Sequence, residues 1–300
     1  MQRRMVMAGV ALLPLWGCTQ PRTKKNRGEA TALFEREARR LEARVGGRLG
    51  MAVLDTDTGA FAAHRGGERF ALCSTFKLLL AAQILRRVDE RRERLDARVH
   101  FGWGDLVEYS PRTEPHAGGE GMTVAELCEA AMVLSDNTAA NLLLRRQGGP
   151  EGLTAWLRAL GDAHTRLDRT EPTLNDVPPG EVRDTTTPLA MLRTTQALVL
   201  GDVLAPASRG RLQGWLLGNL TGGERLRAGM PPGWRVGEKT GTAQGVSNDA
   251  GVIWPAKDEQ GQGAPAVVAC YLTECPAAPL LRDAAIAEAG ALAAAWLRAA

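Results

Sequence analysis

Ser74 and Lys77 stand three residues apart at the head of an apolar segment that runs to about Val88. On a helix, positions i and i+3 share a face, so the lysine amine can approach the serine hydroxyl. A serine at a helix N-terminus also sits among unpaired backbone N–H groups. A hydroxyl nucleophile with a base and an oxyanion site beside it is an acylation centre. The chain has five serines and five lysines in 300 residues, so chance supplies only about 0.08 pairs at this spacing. The competing reading is a helix-capping serine next to a solvated lysine.

Two further clusters carry the same residue types. Ser135-Asp136-Asn137 lies where two helical segments meet; its hydroxyl can pass a proton to a leaving group and its amide can hold a carbonyl. Lys239-Thr240-Gly241-Thr242 lies on a strand, where Lys239 and Gly241 share a face, glycine admits a ligand, and free N–H groups can bind an oxygen. Each cluster is weak alone. Of 37 basic residues only Lys24, Lys25, Lys77, Lys239 and Lys257 are lysine, and two of the five fall inside these clusters. Arginine stays protonated, whereas a buried lysine can release its proton, so the choice of lysine has chemical content.

The elements that must position these groups can be read from periodicity. Ala30 to Arg44 is helical and stopped by Gly47; Leu49 to Asp55 and Phe61 to His64 are strands joined by a turn at Thr56-Asp57-Thr58-Gly59. After Leu72 the texture is helical, with a capping box at Thr123-x-x-Glu126 and a helix opened by Thr187-Pro188 and closed by Gly201. Arg166 to Asp184 has three prolines and no period, the pattern of a segment that is either disordered or a functional loop. Strand-like stretches return at Val236, Gly251 to Trp254 and Val267 to Thr273, followed by an alanine-rich helix over Leu280 to Leu297. This order predicts an α/β (α+β) fold: an antiparallel sheet of about five strands built from both ends of the chain, flanked by N- and C-terminal helices, with an all-helical region inserted. The expected division is residues 30–72 with 220–300, and 73–219 including the loop 166–184.

The net charge of +3 gives no support for nucleic-acid binding. Residues 1–17 carry Arg3, Arg4 and an apolar run from Met5 to Trp16, too short to span a bilayer but suited to an export signal. The run ends Leu15-Trp16-Gly17-Cys18, which resembles a bacterial lipoprotein box with Cys18 as the acylated residue; the paired arginines resemble, less closely, a twin-arginine signal. Residues 18–29 then read as a polar tether, and the expected location is periplasmic. No disulfide is evident among Cys73, Cys128, Cys270 and Cys275, and the four histidines form no zinc motif.

Taken in order, the three clusters resemble the penicillin-recognising serine enzymes. The stretch Arg169-Thr170-Glu171-Pro172-Thr173-Leu174-Asn175, with Asp184 beyond it, is similar to a loop of the class A serine β-lactamases. The resemblance extends over about residues 30 to 298. It implies that Ser74 attacks the lactam carbonyl, with the oxyanion on the N–H groups of Ser74 and Thr242, and that Lys77 or Glu171 accepts the proton. Ser135 would relay a proton to the lactam nitrogen, and Lys239 and Thr240 would attract the substrate carboxylate. Asn137 and Asn175 would orient the substrate amide and the hydrolytic water, Glu171 would be the base for hydrolysis, Arg169 and Asp184 would close the loop, and Tyr109 would wall the pocket. No metal or organic cofactor is implied, and a monomer acting on small β-lactams is expected.

The sequence departs from the family pattern in three places. No arginine follows on the strand after the Lys-Thr-Gly triplet, so Arg225 is the expected partner of the substrate carboxylate. Ala243 stands where some relatives have the disulfide partner of a cysteine like Cys73, so Cys73 is expected to be a free thiol. The segment Ala243 to Asp249 is about two residues short. The same motifs also fit a D-alanyl-D-alanine peptidase or penicillin-binding protein, or a non-catalytic β-lactam sensor; Glu171 argues against the first, and the lack of a signalling region argues against the second.

Overall fold

The computed structural model describes residues 24–256 and 263–299. Arg3, Arg4, Cys18 and the signal segment lie outside the described residues. Five antiparallel strands form the central sheet: β1 (Arg48–Asp55), β2 (Phe61–His64), β3 (Arg235–Ala243), β4 (Val246–Trp254) and β5 (Ala266–Thr273), in the order β2-β1-β5-β4-β3. The inner strands are buried along nearly their whole length because both faces of the sheet are covered. Their side chains alternate between two cores. Met51 and Val53 of β1, with Val268, Cys270 and Leu272 of β5, join Phe34, Leu41, Ile286 and Trp296 of the terminal helices. Ala52 and Leu54, with Val267, Ala269 and Tyr271, face the helical half.

The terminal helices α1 (Lys24–Val45) and α8 (Pro279–Ala299) pack on the first face. On the second face lie α2 (Phe76–Asp89), α3 (Val124–Val133), α4 (Asn137–Arg146), α5 (Gly149–Ala159), α6 (Pro188–Val199) and α7 (Pro206–Leu217). The expected capping box forms: Glu126 N–H donates to Thr123 Oγ1 at 3.2 Å, and Thr123 N–H to Glu126 Oε2 at 2.7 Å. Thr187 likewise caps α6, its hydroxyl oxygen accepting from Ala190 N–H at 3.1 Å. Helix α2 is buried from Phe76 to Leu85. Each such leucine or phenylalanine removed from water stabilises the fold by about 1.5–3 kcal/mol before entropy is counted.

One boundary differs from the sequence reading. α1 begins at Lys24, so the last part of the segment expected as a tether is helical. The apolar stripe that marks the helix starts later, but Lys24, Lys25 and Arg27 are good helix formers that extend it by propensity, and Arg27 pairs with Asp55 at 2.8 Å and stacks over Trp296.

Candidate active site

The chain enters α2 through a tight turn, Cys73–Thr75, with Cys73 in the left-handed region at φ 43°. Ser74 lies in that turn. Seven non-glycine residues have positive φ among the described residues, and four of them, Cys73, Tyr109, Ser135 and Asp184, belong to the site or its loop. Backbone strain of this kind costs about 1–3 kcal/mol per residue and persists where the surroundings over-determine it.

Lys77 is wholly buried. Its ammonium donates to Ser135 O at 2.8 Å, Asn137 Oδ1 at 2.6 Å and Ser135 Oγ at 3.4 Å, and pairs with Glu171 Oε1 at 3.1 Å. Burial pushes its pKa down and the Glu171 carboxylate opposes that shift. The Ser74 hydroxyl also donates to Glu171 Oε1, at 3.1 Å. The expected approach of amine to hydroxyl therefore takes another form: both groups converge on one carboxylate oxygen. An anionic acceptor outcompetes a neutral hydroxyl for an ammonium.

Glu171 is aimed by its own loop. Asn175 Nδ2 donates to Glu171 Oε2 at 2.7 Å, and the Asn141 side chain closes two bonds to the Glu171 backbone, at 2.9 Å from Nδ2 to O and 3.0 Å from N–H to Oδ1. The loop is closed where the sequence placed its ion pair. Arg169 Nε meets Asp184 Oδ2 at 2.6 Å, while Asp184 Oδ1 accepts the N–H groups of Asp168 and Arg169. Asp184 O then receives Leu72 N–H at 2.9 Å, which ties the loop to the turn before Ser74.

Strand β3 forms the opposite wall and is the edge of the sheet, so its outer N–H and C=O groups face the cleft. Lys239 is fully buried and donates to Ser135 Oγ at 3.1 Å and Thr240 O at 2.9 Å. Burial, then the nearby Lys77 charge, pushes its pKa well down. Gly241 permits a close approach: a Cβ there would lie 2.8 Å from Leu72 O and 3.1 Å from Cys73 Cβ.

Ser74, Tyr109, Ser135, Asn137, Asn175, Thr240 and Thr242 line a cleft of about 760 Å³, within the range of small-molecule sites. Lys77, Glu171, Lys239 and Gly241 stand directly behind its wall. Tyr109 is 56% exposed at the rim. Arg225, expected to meet the substrate carboxylate, is instead buried behind Thr242: it donates to Thr242 Oγ1 at 2.7 Å, Gly241 O at 2.9 Å and Asn248 O at 2.8 Å, and pairs with Asp283 at 2.9 Å. Its charge reaches the cleft through the Thr242 hydroxyl. Cys73, Cys128, Cys270 and Cys275 are all buried free thiols; burial, then the Glu171 charge, pushes Cys73 up to about 12.

The sequence reading missed Asn248, Asp249, Glu238 and Asp283. Glu238 on β3 and Asp249 on β4 are buried carboxylates with pKa values raised by burial, although Arg227 pairs with Glu238. Their partners lie far along the chain, and no local spacing marks them.

A serine beside a strained turn residue, a buried amine and a loop-held carboxylate around a strand edge define a serine hydrolase that works through an acyl-enzyme. The "Beta-lactamase enzyme family" description matches residues 33–297. The chain is 48% identical over 235 residues to the β-lactamase OXY-2 of Klebsiella oxytoca, covering 78% of this chain and 79% of that protein. It is 48% identical over 250 residues to the β-lactamase FAR-1 of Nocardia farcinica, covering 83% and 78%. Among solved structures, an ancestral class A β-lactamase is similar with a TM-score of 0.83 and 59% identity, covering 86% of this chain and 98% of that one. The chain belongs to the class A β-lactamase family, and its activity is hydrolysis of the β-lactam ring.

Proposed function

We propose that Ser74 is the nucleophile and Glu171 the base that completes each turnover. Ser74 Oγ attacks the lactam carbonyl carbon and the lactam C–N bond breaks. The hydroxyl proton passes to the Glu171–Lys77 pair, and Ser135 delivers a proton to the nitrogen. The acyl oxygen rests on the N–H groups of Ser74 and Thr242. A water then attacks the ester, Glu171 takes its proton, and the Ser74 oxygen leaves and is reprotonated. Lys239, Thr240 and Thr242 hold the substrate carboxylate, with Arg225 polarising Thr242 from behind; Asn137 holds the substrate amide and Asn175 the water, and Tyr109 covers the rim. The observation that carries this reading is the sharing of Glu171 Oε1 by Ser74 Oγ and Lys77 Nζ, each at 3.1 Å. Purified protein is expected to turn over a chromogenic cephalosporin in steady state. A single stoichiometric burst, the behaviour of a D-alanyl-D-alanine peptidase, would overturn it.

The leader supports export, with Cys18 as a lipid attachment point for a monomer on the periplasmic face of a membrane. Detergent phase partition checks the anchor: wild type should enter the detergent phase and Cys18→Ala the aqueous one. The division into residues 30–72 with 220–300, and 73–219, rests on the same reading of the chain, with the cleft between the two parts.

A further inference from the structure

The two N–H groups assigned to the oxyanion come from segments far apart in sequence: Ser74 from the turn before α2 and Thr242 from the edge strand β3. Their separation must be held to a fraction of an ångström for both to bond one oxygen. One row of residues across the sheet lies beneath that turn. Gly241 of β3 pairs in register with Asn248 of β4, and Asn248 with Tyr271 of β5, so their side-chain positions share a face. Gly241 leaves room for the turn. The Tyr271 hydroxyl lies 3.2 Å from Thr75 Oγ1. Between them, the wholly buried Asn248 amide donates to Ala71 O at 2.8 Å and Leu72 O at 3.3 Å.

The main chain of the same residue holds the other half. Asn248 O accepts from Arg225 Nη1 at 2.8 Å, and that guanidinium also binds Gly241 O and Thr242 Oγ1. Asn248 therefore touches both oxyanion segments, with its side chain on one and its backbone, through Arg225, on the other. Its Oδ1 is buried with no partner among the described residues. An orphaned acceptor costs about 1–3 kcal/mol, which an apolar side chain would avoid, so the donors offset a real penalty.

We propose that Asn248 is a positioning residue for acylation, fixing the distance between the Ser74 and Thr242 N–H groups. The proposal rests on the β-lactamase reading of those groups, and wild-type turnover in the same assay tests that reading separately. Asn248→Asp keeps the shape but turns the donors into acceptors facing two carbonyls; Asn248→Ala removes them. Both are expected to lower kcat/KM for a chromogenic cephalosporin on the order of 10- to 100-fold. Affinity for a boronic acid, whose tetrahedral adduct on Ser74 places an oxygen between the two N–H groups, should fall by a similar factor. In a Ser74→Ala background, adding either substitution should leave the affinity for unreacted cephalosporin within about twofold, because only the tetrahedral oxygen reads the separation. Unchanged kcat/KM and boronate affinity in folded Asn248→Asp would overturn the proposal. So would equal weakening of unreacted and boronate ligands, which marks general collapse of the cleft. If Asn248→Ala does not fold, Asn248→Asp alone decides by the same two affinities.

Discussion

At the scale of single residues, the site turns on two lysines in a chain whose basic residues are mostly arginine. Lys77 and Lys239 are both completely buried and packed against carbonyl and hydroxyl oxygens at hydrogen-bond distance. A guanidinium is larger, always charged and unable to give up its proton. Lys77→Arg is therefore expected to lower kcat/KM on the order of 10²- to 10⁴-fold, measured as the acylation rate in stopped flow. Glu171→Gln separates the two halves of the reaction, because the amide still accepts from Ser74 but cannot take a proton from water. The acyl-enzyme should accumulate and appear as a mass increase equal to the substrate. Unchanged steady-state hydrolysis would remove Glu171 from the role of base.

At the scale of elements, the loop that carries Glu171 depends on Asp184, which is fully buried and serves Arg169 and two backbone N–H groups at once. Asp184→Asn leaves Arg169 without its counter-charge and should cost about 3–5 kcal/mol, read as a lower Tm, with deacylation slowed more than acylation. A second clamp fastens the end of α1 to β2. Glu42 accepts from His64 and twice from Arg65, and although burial opposes them, these bonds hold its pKa at about 2 against an ordinary 4.5. A depressed carboxylate pKa stabilises the fold above its ordinary value, and that contribution is lost as pH falls from about 4.5 towards about 2. Glu42→Gln should therefore lower stability by about 2 kcal/mol at pH 7. The gap to wild type in thermal melts should narrow steadily below pH 4.5. These elements also show what a sequence can disclose. Ser74 with Lys77, Thr123 with Glu126, and Glu171 with Asn175 lie within one turn of each other, so their spacing is itself geometry. Arg225 and Asp283 meet only because the C-terminal helix packs against the segment before β3, and Asn248 and Ala71 only because the turn before α2 lies over the sheet. The start of α1 was misread for a related reason: propensity, not the apolar stripe, sets its first turn.

At the scale of the whole molecule, one sheet separates two cores, and the strands β1 and β5 contribute side chains to both. The buried free thiols sample this arrangement. Cys128 lies in the helical core, Cys270 and Cys275 in the core against the terminal helices, and Cys73 in a small cluster with Val246 beside Ser74. Residues alternate along β1 and β5 between the two cores, so neither can lose its packing without pulling the shared strands from the other. All four thiols should therefore resist an aromatic disulfide reagent in native buffer and become reactive together in one urea transition, coincident with loss of activity. The full chain with Cys18→Ala isolates these four positions, and single-cysteine variants assign each signal. Labelling of Cys128 at lower urea than Cys270 would instead show that the helical half opens alone, with the sheet and its edge strand β3 still in place.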